Sequence, residues 1–228
     1  MKIRKIFIFL ALFTLFSASF VYAENAKLDR RIEECADLFE EVMQMPDKAI
    51  PEDLLSKCSG VAIFPSVLKG GFFIGGRYGK GVVLYRDKRT GKWSTPAFYT
   101  IGGLSYGLQI GGQAIDLILV ITNKRGMKSL IKNSITLGGD LAASVGPVGR
   151  NAEAGTDLLL KAGILSYSRS RGLFAGIAIK GAVIKQDIET NKSYYDEDVT
   201  AEDILFKKKV KPTPTGRELI KVLGRYSK

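Results

Sequence analysis

The sequence predicts an α+β fold: N-terminal helices packed on a strongly curved, mainly antiparallel, Gly-rich β-sheet, barrel-like or two-layered. Three observations carry this. Apolar residues recur at helical spacing from Ala26 to Met45. From Gly60 onward the apolar period changes to two. Gly pairs at 70–71, 75–76, 102–103, 111–112 and 138–139 punctuate the alternating region. Glycine weakens a strand, so each pair marks a bulge, a bend or a close backbone approach.

The chain opens with Lys2, Arg4 and Lys5, an apolar run from Ile6 to Leu15, and Val21-Tyr22-Ala23. A basic start, a short apolar core and an A-x-A-like site are the pattern of a cleaved export signal, so residues 1–23 are expected to be removed. The mature protein is then expected to be periplasmic or secreted. Its single domain is placed at 24–206, followed by a basic linker and helix at 207–228. Without the three leader cations the formal charge of +11 falls to about +8. A net basic exported protein favours anionic partners such as lipid headgroups.

The helix over Ala26–Met45 carries Leu28, Ile32, Cys35, Phe39 and Val42 on one stripe. Its other face holds Asp29, Glu33, Glu34, Asp37, Glu40 and Glu41 against Lys27, Arg30 and Arg31, too acidic to prefer an anionic bilayer. Pro46 stops it, and a short helix starts at Pro51. Strands are expected at Val61–Phe64, Gly71–Arg77 and Gly81–Arg86, then at Pro96–Ile101, Ser105–Ile110 and Gln113–Thr122, with a polar hairpin loop from Arg86 to Lys92. Asn123 caps a helix running to about Lys132. Further strands span Ile164–Ser168, Leu173–Ile179 and Ala182–Asp187. Glu189–Lys192 reads as a turn, Tyr194-Tyr195 as extended, Thr200 as the cap of a short helix, and Gly216–Tyr226 as a terminal helix.

The chemistry of the chain is limited by its lack of histidine. That removes the usual general base near neutral pH, the usual partner of a Ser or Cys nucleophile, and the commonest transition-metal ligand. Gly103-Leu104-Ser105-Tyr106-Gly107 matches G-x-S-x-G, but it lies in a strand-like region and lacks the histidine a nucleophile elbow needs. Two S-x-x-K matches, at Ser66–Lys69 and Ser129–Lys132, lack the companion motifs of penicillin-binding enzymes. Gly75–Gly81 lacks the spacing of a phosphate loop. The reading is of a protein that is not an enzyme and uses no metal or cofactor. Cys35 and Cys58 are expected to form a disulfide in an oxidising compartment, with two buried thiols as the other possibility.

The basic residues carry the functional reading. Lys124, Lys128 and Lys132 are spaced four apart with Arg125 beside them, a basic stripe on one helix face. Arg150, Arg169, Arg171 and the lysines from 207 are expected to extend it into a lipid-binding surface. Nucleic acid is not expected, since no stacking-aromatic motif of the RNA-binding kind is present.

Several segments then carry a family resemblance. Gly60–Pro65, Gly70-Gly71-Phe72-Phe73-Ile74-Gly75-Gly76-Arg77-Tyr78-Gly79, Gly107–Gln113, Gly146-Pro147-Val148-Gly149-Arg150-Asn151-Ala152-Glu153 and Tyr167-Ser168-Arg169-Ser170-Arg171-Gly172-Leu173-Phe174-Ala175-Gly176 occur in order. Over roughly residues 30–206 the chain resembles the SYLF domain, found in yeast actin-patch proteins, beside FYVE modules, and alone in exported bacterial proteins. The resemblance implies a non-enzymatic lipid-binding α+β domain. Eukaryotic members resemble phosphoinositide binders and some yeast ones bind actin. In an exported bacterial member, phosphatidylglycerol or cardiolipin is the more natural ligand, actin is a partner only in a eukaryotic host, and an envelope protein is the other expected partner.

Overall fold

Two long strands dominate the computed structural model, which describes residues 24–45, 50–132, 134–148, 163–170 and 173–228, with side chains at all of these but 71–74 and 105–112. The expected leader lies outside the described residues. Strand β1 (Gly60–Tyr85, 26 residues) and β2 (Ala97–Ile121, 25 residues) form one antiparallel ribbon, in register from Gly60↔Ile121 to Val83↔Ala97. The expected six short strands are therefore two. The Gly pairs at 70–71, 75–76, 102–103 and 111–112 lie within these strands and do not end them, while Gly138-Gly139 falls in a turn after residue 136.

The ribbon is severely bent. Twenty-six residues at about 3.3 Å each would reach roughly 85 Å, about twice the width of a domain this size. Instead β1 returns on itself. A Cβ on Gly79 would lie 2.7 Å from Val67 Cγ2, and one on Gly81 would lie 2.0 Å from the Ile63 carbonyl oxygen. Only glycine allows backbones to approach so closely. Register shifts between Phe64 and Val67 and between Gly71 and Phe73 add to the curl.

Five further strands complete the sheet among the described residues: β3 (Ser134–Thr136), β4 (Ala143–Val145), β5 (Ile164–Ser170), β6 (Leu173–Gly176) and β7 (Ala182–Gln186). β1 lines β2 along its length. On the other edge, β7 pairs with Tyr99–Gly103 and β5 with Asp116–Ile121, both antiparallel. β3 extends β7, β6 extends β5, and β4 joins β5 in parallel. The result is an α+β fold with a strongly curled, mostly antiparallel sheet.

Where the two ends of the ribbon meet, around Val61–Phe64, Val82–Leu84, Ala97–Ile101 and Leu117–Ile121, both faces of the sheet are buried. Val61, Ile63, Val82, Leu84, Phe98, Ile118 and Val120 meet one helical layer; Ala62, Phe64, Val83, Tyr99, Ile101, Leu117 and Leu119 meet a second core. The first layer holds α1 (residues 24–43) and α2 (Glu52–Lys57). The expected stripe of α1 is buried throughout, from Leu28 to Val42. The last helix, α6 (Pro214–Arg225), adds Leu219, Val222 and Leu223 to the same core. The second core receives α3 (Lys124–Leu130) through Met127 and Leu130, and α5 (Ala201–Leu205) through Ile204 and Leu205.

Caps agree with the sequence at two starts, Asn123 and Thr200, while the last helix starts at Pro214, two residues before the expected Gly216, on a Thr213 cap. Asn123 accepts from Gly126 N, Thr200 and Asp203 form a full capping box, and Thr213 accepts from Gly216 N. The expected turn and extended piece at 189–195 is instead a helix, α4 (Ile188–Tyr195). Tertiary contacts hold it. Buried Asn191 bonds both the N–H and the carbonyl of Phe98, at 2.8 and 3.1 Å, and Tyr194 Oη donates to Asp29.

The expected Cys35–Cys58 disulfide is not formed. Both are free, buried thiols. Cys35 Sγ points from α1 to the Ile63 carbonyl at 3.6 Å, while Cys58 Sγ turns back to Leu55 O at 3.1 Å. They fill the first core as small apolar side chains.

Candidate functional site

Helix α3 begins where β2 ends, so the long strand sets its position. Its inner face is held tightly. Tyr99 Oη donates to Leu130 O at 3.0 Å, and Gly126 packs near Gly163 O, where a Cβ would lie 2.8 Å away. Met127 and Leu130 are buried, which fixes the rotation of the helix and turns the intervening residues outward.

Lys124, Arg125, Lys128 and Lys132 are all exposed. With Ser129 they line an open depression of about 420 Å³. Leu130 ends the helix two residues short of the expected Lys132, but Lys132 N still bonds Ser129 O, so the last lysine stays on the stripe. Among the described residues no carboxylate pairs with any of these four. The site can therefore hold an extended anionic surface by charge, while Ser129 Oγ is turned to Arg125 O. Lys88 was not anticipated. Its Nζ donates to Thr122 O at 3.3 Å, at the foot of α3. The signal in the sequence is the basic composition of the polar hairpin loop from Arg86 to Lys92.

The other expected site residues do not gather here. Arg169 lies in β5 opposite Asp116, five residues or about 16 Å along β2 from its end at Ile121. It is engaged by two carboxylates, Asp116 and Glu41, which raise its pKa against the opposing effect of burial. Lys207 and Lys209 are paired with Asp203. Arg150 and Arg171 lie outside the described residues. The G-x-S-x-G match sits within continuous strand, with Gly103 opposite Arg77 and Gly107 opposite Phe73, so it does not form a strand–turn–helix elbow.

Comparison with known proteins fits this picture of a binding fold. A family model named Ysc84 and described as "Las17-binding protein actin regulator" matches residues 102–226, more than half of the chain. The chain is 39% identical over 183 residues to SH3 domain-containing YSC84-like protein 1 of Bos taurus, and 38% identical over 183 residues to that of Homo sapiens. Each alignment covers 80% of this chain and 53% of the relative. It is 36% identical over 180 residues to LAS seventeen-binding protein 3 of Saccharomyces cerevisiae, covering 78% of this chain and 39% of that protein. The chain thus spans about half the length of the animal relatives it matches. With the matched segment running from near the start of β2 through α6, the chain belongs to the Ysc84 (SYLF-domain) family.

Proposed function

We propose that this protein is a non-enzymatic binding module that is exported and docks peripherally on anionic phospholipid membrane through α3. The observation that carries the reading is the set of four exposed cations, Lys124, Arg125, Lys128 and Lys132, around one open depression, with no paired carboxylate among the described residues. The export part rests on the pattern of residues 1–23. The family is described as a regulator that binds a partner, which supports a binding role over a catalytic one.

Each Lys or Arg near an anionic surface contributes about 1 kcal/mol, so four give about 4 kcal/mol, a dissociation constant in the millimolar range. Docking of that strength is reversible and salt-dependent, because the Debye length shrinks from about 10 Å at 0.1 M to about 3 Å at 1 M. The test is co-sedimentation with neutral and phosphatidylglycerol-containing vesicles at low and high salt, beside a Lys124→Glu/Lys128→Glu/Lys132→Glu variant. Anion-selective binding that is lost at high salt and in the variant is expected. Binding indifferent to salt or to the variant would overturn the reading.

The names of the family and of its relatives favour a second reading, a structural or protein-interaction component with incidental lipid affinity. Recovery of a stoichiometric protein partner with no vesicle binding would establish it.

A further inference from the structure

The fold of the β1–β2 ribbon brings together two cations that the α3 face does not use. Val67 and Gly79 touch where β1 returns on itself. Lys69 and Arg77 lie two residues inside that crossing, on the same faces as Val67 and Gly79, since strand side chains alternate. They therefore face one another across the bend. Both are half-buried.

We propose that Lys69 and Arg77 form a binding site for a phosphate-class oxyanion inside the fold of this ribbon. The donors are present and unspent. Arg77 Nη2 makes one long contact, 3.4 Å to Leu104 O, while its Nε is buried with no hydrogen-bond partner. An Nε–Nη pair is the fork with which arginine grips a phosphate. Lys69 makes no hydrogen bond or ion pair among the described residues. Its register partner on β2, Gln113, is bonded to Ser170. Asp116, the carboxylate nearest along β2, already serves Ser66 N and Arg169.

Two partly desolvated like charges with no counter-ion destabilise each other, and an anion between them relieves both. Burial, and then the charge of Arg77, lower the pKa of Lys69; burial lowers that of Arg77. A phosphate reverses both effects. The outer face of the same strands exposes Leu68, Tyr78 and Leu104, an apolar border beside the cations that suits a lipid headgroup as well as a free phosphate.

The test is thermal unfolding and calorimetric titration of the purified protein with two probes, inorganic phosphate and monomeric dihexanoyl phosphatidylglycerol, against chloride at matched ionic strength. A ligand at ten times its dissociation constant is expected to raise Tm by about 3–6 °C. An increment from the lipid alone assigns the site to a headgroup. An increment from both assigns it to the phosphate group whatever carries it. The Lys69→Gln/Arg77→Gln variant is expected to lose the increment. Arg77→Lys keeps the charge but lacks the fork, and is expected to weaken binding at least tenfold, which decides the matter should the double variant not fold. The proposal is overturned if neither probe shifts the native protein, if chloride does so equally, or if the increment survives in the variants. The α3 triple-Glu variant keeps the increment, so failure of this site and failure of the membrane reading are separate results.

Discussion

Asp116 and Arg169 stand directly opposite one another in the β2–β5 register, with Arg169 Nε donating to Asp116 Oδ2 at 2.9 Å. The pair ties three parts of the fold together. Asp116 Oδ1 also accepts from Ser66 N at 2.9 Å, in the bulge where Ser66 holds φ at +52°. Arg169 reaches on to Glu41 of α1. The acidic residue that interrupts the apolar run of β2 is thus the one that anchors the β1 bulge and the first helix.

Replacing Asp116 with Ala should therefore cost more than a surface pair. The side chains of Asp116 and Arg169 are only 20% and 24% exposed, and the change leaves both a guanidinium and a backbone N–H short of an acceptor. A loss of about 2 kcal/mol is expected in urea unfolding. A midpoint equal to that of the native protein would show that the pair is incidental.

The crossing of β1 on itself makes opposite predictions for two glycines in one strand. Gly81→Ala would set its Cβ against the Ile63 carbonyl and 2.7 Å from Phe64 Cδ1. Backbone must move, so about 3 kcal/mol or more of stability is expected to be lost. Around Gly70 there is nothing within 4 Å of a Cβ, and Gly70→Ala should stay within about 0.5 kcal/mol of the native protein. Equal effects at the two positions would argue against the folded ribbon.

Burial raises both thiols, Cys58 to about 12 and Cys35 further still. A thiol-specific reagent at pH 8 should therefore label the native protein only as fast as it unfolds, and should find two thiols per chain in denaturant without reductant. The sign of the pH effect follows. Each thiol favours the folded state fully below its unfolded pKa, near 8.5, and the contribution is lost as pH rises from there toward the raised folded value. Stability should fall by up to about 1.4 kcal/mol per pH unit for each thiol above pH 8.5. A Cys35→Ala/Cys58→Ala variant should lack that part of the slope. Labelling that finds no thiol without reductant would restore the disulfide.

The sequence alone determined the class of fold, the helix caps and the basic stripe of α3, because each depends on residues close in the chain. Leu28 to Val42 spell a helix face by their spacing, and Asn123 and Thr200 cap helices through groups three residues on. The SYLF-type motifs were legible for the same reason, as short ordered runs. Tertiary structure decided what depends on distant partners. Whether a Gly pair ends a strand or bends it depends on what the strand returns to, and Val67 meeting Gly79 settled it. Tyr194 and Tyr195 are helical because Asn191 bonds Phe98, far away in sequence. Two cysteines within reach on paper point at different carbonyls in space. A basic residue is equally basic in any string of letters; only the fold turned Arg169 into a partly buried, doubly paired anchor, left the α3 lysines exposed, and set Lys69 facing Arg77, because a charge is defined by the partners that the packed chain brings to it.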